Sequence, residues 1–391
     1  MILLFLLLAT VPHLVVPYST NAPSTILDDQ FCQNYYKLGD YNDCRALRAT
    51  VRVELRGNGT VPTLELGDPS RQPAMMFLHG WPDTSAVWAN QMAAFCGDDN
   101  DFFCVAPSWI DFDPDIQLAN DDELTWDHQI ESFHAVVEDL GLQDITLVVF
   151  DFGCILGYQF AYRYPNLVKQ IVAMDVPLYI GQPTIPYPGY IELLPEYQQN
   201  NIQAFLEDDD EAIMENMIDM DGQSRMPCFN CSIAPNATVG VGAKTGWPYY
   251  IFVKMEEPVW TDYYDVPTEE WEFVYVPSFP DRIPFLYLYS PRFPVGSFLD
   301  WVDERGDNVS EYVLLNDTDH WLLTQQPKQV NTIMRDWFQK VADADTTSSD
   351  LSPPSSNNES HNEMPSSSAI AQKETSLPLL FWPSLFLTAL V

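Results

Sequence analysis

One run constrains this chain more than any other: Ile145-Thr-Leu-Val-Val-Phe-Asp151-Phe-Gly-Cys-Ile-Leu-Gly157. An unbroken apolar stretch, which reads as a strand covered on both faces, ends on an aspartate set between two aromatics. A glycine and an apolar helical stretch follow. A carboxylate at the end of a buried strand has to be compensated, because desolvating an unpaired charge is costly. Two roles do this. Asp151 is either a nucleophile on a tight strand-to-helix turn, in the place where such turns usually carry serine, or the N-cap of the helix. These residues alone leave both open.

The rest of the chain supplies context. Strand-like segments are expected at Ala49–Leu55, Thr63–Leu66, Ala74–Leu78, Phe102–Ala106, Ile145–Phe150, Gln170–Met174, Pro284–Tyr289 and Tyr312–Leu315. Helical periods, with apolar residues three and four apart, fall at His128–Leu140, Gly153–Tyr164, Ser297–Arg305 and Pro327–Val341. This alternation implies an α/β protein with a mostly parallel eight-stranded sheet flanked by helices. Residues 178–281, rich in Pro, Tyr, Trp and acidic side chains, interrupt the rhythm. They are too long for a connection and are expected to form a cap over the carboxyl edge of the strands, where such sheets bind ligands.

Acidic residues number 56 against 18 basic ones, a formal net charge of −38. Such a field repels nucleic acid, which is excluded as a partner. The runs Asp208–Glu211 and Asp219–Asp221 lack the glycine spacing of a calcium loop and read as solvated acidic faces, so no metal is expected. Residues 1–22 have the apolar core of a signal peptide, although no basic residue precedes it. Asn-x-Ser/Thr sequons begin at Asn58, Asn230, Asn236, Asn308, Asn316 and Asn358, and 7 cysteines fit the same oxidising compartment. Close spacing suggests the pairs Cys32–Cys44, Cys96–Cys104 and Cys228–Cys231, with Cys154 left as a buried thiol, although sequence cannot fix the connectivity. Residues 343–376 are expected to be a disordered stalk. Residues 377–391 form an uncharged apolar tail, shorter than the ~20 residues of a spanning helix and laid out like a GPI-attachment signal. The expected core is residues 23–177 and 282–342, and the expected location is the cell surface, on a glycolipid anchor, or secreted.

Leu78-His79-Gly80-Trp81-Pro82-Asp83 follows the third strand. A glycine there lets backbone approach a substrate, and the amides of Trp81 and Phe152 form a plausible oxyanion hole for chemistry at Asp151. Alone, the motif is also an ordinary turn. Asn316-Asp-Thr-Asp-His320-Trp follows the last strand. Of the 6 histidines, His13 and His361 lie in the terminal segments, His79 belongs to the glycine turn, and His128 and His134 point different ways from one helix. His320 is the candidate general base.

With these motifs in place, residues 49–341 resemble the epoxide hydrolase and haloalkane dehalogenase branch of the α/β hydrolases. The carriers are His79-Gly-Trp-Pro-Asp, Phe150-Asp-Phe-Gly-Cys, Asp319-His320-Trp321, and Arg163-Tyr-Pro165 with Val168–Asp175. The resemblance implies that Asp151 attacks an sp³ carbon to give an alkyl–enzyme ester, which His320 then hydrolyses. It implies no cofactor and a small apolar electrophile as substrate. The acid that orients His320 usually follows the strand Pro284–Tyr289, but Ser290-Pro-Arg-Phe293 has none. Asp175, after the preceding strand, matches an alternative position, with Asp300 and Asp303 behind it. Epoxide hydrolases support the leaving oxygen with two cap tyrosines. Tyr249 and Tyr250 stand where one would fall, and Tyr190 or Tyr197 would be the other. Dehalogenases hold halide with Asn or Trp side chains, whereas Phe152 follows the nucleophile here. Val149 departs from the pattern where the turn normally has glycine, and Ala106–Asp113 lacks the usual glycine motif. A dehalogenase-like hydrolase and an inactive binding ectodomain therefore stand as alternatives. Ordinary ester hydrolysis is weakened because no Gly-x-Ser-x-Gly occurs.

Overall fold

The structure, a computed structural model, describes residues 48–53, 60–70, 73–96, 102–110, 112, 124–177, 196–213, 215, 243–254, 279, 282–291 and 296–349. The expected signal segment, the apolar tail, Tyr190, Cys32, Cys44, Cys228 and Cys231 lie outside them. Eight strands form one sheet: β1 (Arg48–Val53), β2 (Thr60–Leu66), β3 (Ala74–Leu78), β4 (Phe103–Pro107), β5 (Ile145–Phe150), β6 (Val168–Met174), β7 (Phe285–Tyr289) and β8 (Glu311–Leu314). Their order is β1-β2-β4-β3-β5-β6-β7-β8. The β1–β2 and β2–β4 pairs are antiparallel and every later pair is parallel.

Strands alternate their side chains between faces, and here each face meets its own core. Leu147 and Val149 of β5, with Ile171 and Ala173 of β6, join one apolar cluster; Val148, Phe150, Val172 and Met174 join the other. The helices that cover these faces are α1 (Ala89–Phe95), α2 (Trp126–Leu140), α3 (Phe152–Arg163), α6 (Gly296–Glu304), α7 (Leu322–Gln325) and α8 (Pro327–Ser349). Helix α2 begins at a Thr125 cap, whose hydroxyl accepts from the His128 amide, and ends at Gly141 with φ 61°. A left-handed C-terminal residue favours glycine there.

Within residues 178–281 the structure describes two main helices, α4 (Glu196–Glu207) and α5 (Trp247–Lys254). Tryptophans fasten this region to loops at the carboxyl ends of the strands. Trp247 Nε1 donates to Ile110 O at 3.1 Å, and Trp81 Nε1 donates to Thr245 O at 2.8 Å. Cys96 and Cys104 are disulfide-bonded, and Cys154 is a buried free thiol.

One boundary differs from expectation. Helix α8 continues to Ser349, so the stretch from Asp343 is helical rather than the start of a disordered stalk. Its apolar period fades there, but Ala344 packs against the core and Asp345 lies 3.6 Å from Lys169. These contacts extend the helix where local pattern does not.

The turn after β5 tolerates Val149 for a visible reason. Val149 is buried, and its Cγ1 stands only 2.5 Å from where a Cβ on Gly157 of α3 would lie. The missing side chain at Gly157 provides the room that Val149 takes. Gly157→Ala is therefore expected to destabilise the fold by ~1–3 kcal/mol through overpacking, even though alanine is the better helix former by ~1 kcal/mol. Combining it with Val149→Ala should relieve the clash. A denaturant double-mutant cycle checks this, and strictly additive penalties would contradict the pairing.

Candidate active site

Asp151 sits between β5 and α3 with φ 54° and ψ −130°. A non-glycine residue at positive φ is strained and needs support from its surroundings. Asp151 makes no side-chain cap to α3. The helix-cap role is thus not the one it plays. Its Oδ1 instead accepts from the Trp81 amide at 2.7 Å, and its Oδ2 lies 3.3 Å from His320 Nε2. Gly80 makes this approach possible, because a Cβ there would stand 2.2 Å from Asp151 Oδ1. Phe152, the other expected amide donor, opens α3 directly after Asp151.

The loop behind Gly80 is held by a buried histidine. His79 is fully buried; its Nδ1 pairs with Gly80 O at 2.9 Å and its Nε2 accepts from the Trp109 amide at 3.0 Å. These partners specify the neutral ring with its proton on Nδ1. Burial agrees, pushing the imidazole down to about 3 against a weaker upward pull from the bond to Gly80.

His320 lies in the loop between β8 and α7. Its Nδ1 bonds Asp175 Oδ2, so the ring bridges two carboxylates. Phe150 lies 4.9 Å from the imidazole centroid, and Trp321 meets it edge-on at 4.7 Å. Trp321 Nε1 donates to the buried carboxylate of Asp83 at 2.9 Å, joining the His320 loop to the loop that carries the Trp81 amide. Asp319 is anchored within its own loop, its amide donating to Gln325 at 2.9 Å. Burial lowers the His320 pKa, but the Asp175 charge and the bonds and charge of Asp151 outweigh it and lift the imidazole to about 10. Asp175, fully buried, is pushed up by burial and pulled back by His320.

Asp175 is the acid brought to His320. Asp300 and Asp303 are exposed on α6, and Asp303 accepts instead from the Tyr312 hydroxyl at 3.2 Å. Of the expected substrate tyrosines, Tyr249 is buried edge-on to Trp81 at 5.0 Å and to Phe152 at 5.4 Å. Tyr250 departs from expectation: it packs on Phe205 of α4 at 4.9 Å. Successive residues on a helix point about 100° apart, so one of the pair faces Trp81 and the other faces α4. Tyr197, raised as an alternative, lies 6.0 Å from Tyr249 and 6.4 Å from Trp81, and its hydroxyl accepts from Gln198 at 2.8 Å. Burial raises its phenol above the ordinary range; the Gln198 bond opposes this, and the Asp151 charge adds to it. The sequence reading missed the Asp83–Trp321 bond, although both residues lie inside the motifs it singled out. No His/Cys/Asp/Glu cluster able to hold a metal occurs among the described residues.

Residues 73–271 match the family model described as the alpha/beta hydrolase fold. The chain belongs to this family. Among curated proteins, the α/β hydrolase is 26% identical over 106 residues to epoxide hydrolase 1 of Caenorhabditis elegans, covering 27% of this chain and 26% of that one. It is 30% identical over 105 residues to epoxide hydrolase 3 of Mus musculus, covering 27% and 28%. The match thus spans about a quarter of each relative's length. Among solved structures, an inhibitor complex of a Bacillus megaterium epoxide hydrolase aligns with TM-score 0.51 at 23% identity, covering 72% of this chain and 98% of that one. An epoxide hydrolase of Vigna radiata aligns with TM-score 0.52 at 18% identity, covering 76% and 100%. At these identities the structural likeness speaks for the fold. Together with the curated relatives, it makes this an α/β hydrolase resembling epoxide hydrolases.

The electrostatics give a direct test. His320 has its folded pKa raised from 6.5 to about 10, so its stabilising contribution is complete below pH 6.5 and is lost as pH rises through about 10. Histidine nitrogen NMR at pH 7 should show His320 as imidazolium and His79 as a neutral ring protonated on Nδ1. Asp175→Asn should bring the His320 midpoint down toward 6.5. A neutral His320 at pH 7 would overturn this account.

Proposed function

We propose that this α/β hydrolase opens epoxides to diols through a covalent ester on Asp151. The observation that carries the reading is the placement of the Asp151 carboxylate between the Trp81 amide and a histidine backed by Asp175. In this reading Oδ2 attacks an sp³ ring carbon as its C–O bond breaks. Oδ1, held by the Trp81 amide, becomes the carbonyl oxygen of the ester. The opening oxygen takes its proton from the Tyr197–Tyr249 pair; a raised phenol pKa keeps Tyr197 protonated and able to donate.

Esterification changes the base. Asp151 loses its charge and its bond to His320, two of the influences that lift the imidazole. The pKa falls, the imidazolium proton passes to the tyrosinate that ring opening left, and the neutral His320 then takes a proton from water as the water oxygen attacks the ester carbonyl. The Trp81 amide supports the oxyanion that develops on Oδ1. Collapse expels the diol oxygen, protonated by His320, and the Asp151 carboxylic acid so formed gives its proton to the neutral ring, which restores the carboxylate and the resting imidazolium. Aspartate suits this sequence, because a serine alkylated at carbon would form an ether that water does not cleave.

Two features favour epoxides over haloalkanes. Phe152 offers no side-chain N–H to a departing halide, and the Trp81 indole N–H is engaged by Thr245 O at 2.8 Å. A net charge of −38 works against anionic substrates and suits a neutral apolar electrophile. In His320→Gln, mass spectrometry of the intact protein after epoxide addition should show one substrate mass added at Asp151. Diol formation should vanish in Asp151→Ala. Halide release from haloalkanes without diol formation from epoxides would favour the dehalogenase reading, and no adduct with either class would favour a binding role.

We also propose that the protein is secreted and held at the cell surface by a glycolipid. The apolar segments 1–22 and 377–391 and the Cys96–Cys104 disulfide support this. The sequon residues Asn308 and Asn316 are exposed, as folded glycosylation sites must be. Intact cells should lose surface protein on treatment with phosphatidylinositol-specific phospholipase, and a glycosidase should lower its apparent mass. Retention inside the cell would refute this location.

A further inference from the structure

The end of β7 lacks an acid, yet it is not idle. Strands β6 and β7 run parallel with Met174 opposite Leu288, so Asp175 and Ser290 emerge side by side just past their ends. Three contacts from β7 reach Asp175. Its amide donates to Leu288 O at 2.9 Å, its carbonyl accepts from the Tyr287 hydroxyl at 2.6 Å, and its Oδ1 accepts from Ser290 Oγ at 3.3 Å. Asp175 has φ 76°, a conformation that an aspartate holds only when its neighbours fix it.

We propose that Ser290 is a positioning residue, whose hydroxyl holds the Asp175 carboxylate so that its other oxygen meets His320 Nδ1. The inference rests on the triad reading above. Both side chains are completely buried, so water does not replace the hydroxyl at Oδ1. A buried carboxylate oxygen left without a donor favours protonation of the acid or rotation of the group. Either one weakens the support of imidazolium while the ester is hydrolysed. The hydroxyl does for Asp175 what the Trp81 amide does for Asp151: each fixes one oxygen and leaves the other to face His320.

The groups that bear on the Asp175 charge are His320 and Asp151 from the neighbouring loops, Tyr287 from β7 through its bond to the Asp175 carbonyl, and Cys154 of α3, which bonds Met174 O at 3.3 Å. Ser290 is among the groups that hold Asp175 down, so its removal should raise the midpoint at which Asp175 protonates.

Ser290→Ala tests this in the full-length protein. Hydrolysis of the Asp151 ester should slow roughly 10-fold or more, the scale expected when a buried charged acceptor loses a donor. Ester should accumulate while its formation changes little, and the acidic limb of the pH–rate profile should move to higher pH. Ser290→Thr, which keeps a hydroxyl, should restore both. Ser290→Cys, a weaker donor of similar size, should fall between and serves if the alanine variant folds poorly. Carbon-13 carboxyl titration follows Asp175 without any substrate. An unmoved Asp175 midpoint and an unmoved acidic limb in Ser290→Ala would overturn the proposal, since a structural defect alone lowers activity without shifting either. A midpoint that rises in Ser290→Ala while wild type forms no ester would refute the proposed reaction and uphold the hold of Ser290 on Asp175.

Discussion

The bond from the Trp81 amide to Asp151 Oδ1 is the contact on which the site depends. It fastens the loop after β3 to the turn after β5, two neighbouring parallel strands. It also offers a buried charge the donor it requires. Asp151 at φ 54° would otherwise relax, and its carboxylate would turn toward the helix amides behind it. Much of the surrounding architecture serves this bond. Gly80 omits the side chain that would occupy the Asp151 carboxylate's place, and His79 is locked neutral beneath it by Gly80 and Trp109.

A second layer of contacts ties the mobile parts of such a site to its rigid parts. His320 lies on a loop, and loops place side chains less accurately than strands do. Here the next residue, Trp321, is bonded to Asp83, two residues beyond Trp81. The loop that carries the donor to Asp151 and the loop that carries His320 are thus joined by one bond. A shift of either moves the other, which matters when reacting groups must stay within a few tenths of an ångström of productive geometry.

The parts of this fold readable from sequence are those set by local chemistry. The β3 and β5 strands fell where expected because their apolar runs are uninterrupted and bounded by glycine or charge. Asp151 stood out as a carboxylate at the end of an apolar strand, and His320 as the histidine left in the polar loop after the last strand once the other five were set aside. What escaped depends on packing between distant segments. Nothing local to Asp343–Ser349 continues an apolar stripe, yet the helix runs on there, with Ala344 against the core and Asp345 near Lys169. Tyr249 and Tyr250 are equivalent by composition, and only the seating of α5 on α4 distinguishes them. Val149 read as an obstacle because Gly157, the residue that makes room for it, lies beyond the turn, in the following helix.

In the proposed reaction His320 holds two protonation states, and the carboxylates around it allow both. Asp151, Asp175 and Asp83 are all nearly inaccessible, and a resting site with this much buried negative charge favours a cation at its centre. An imidazolium bridging Asp151 and Asp175 supplies it. That state cannot accept a proton from water. Alkylation of Asp151 removes one negative charge at the moment a base is needed, so the first half of the proposed reaction prepares the second. The logic requires the remaining acid to stay charged and aimed after Asp151 is neutralised. An acid after β6, pressed against the end of β7 by two backbone-directed bonds and one hydroxyl, meets that requirement without a carboxylate at the usual position.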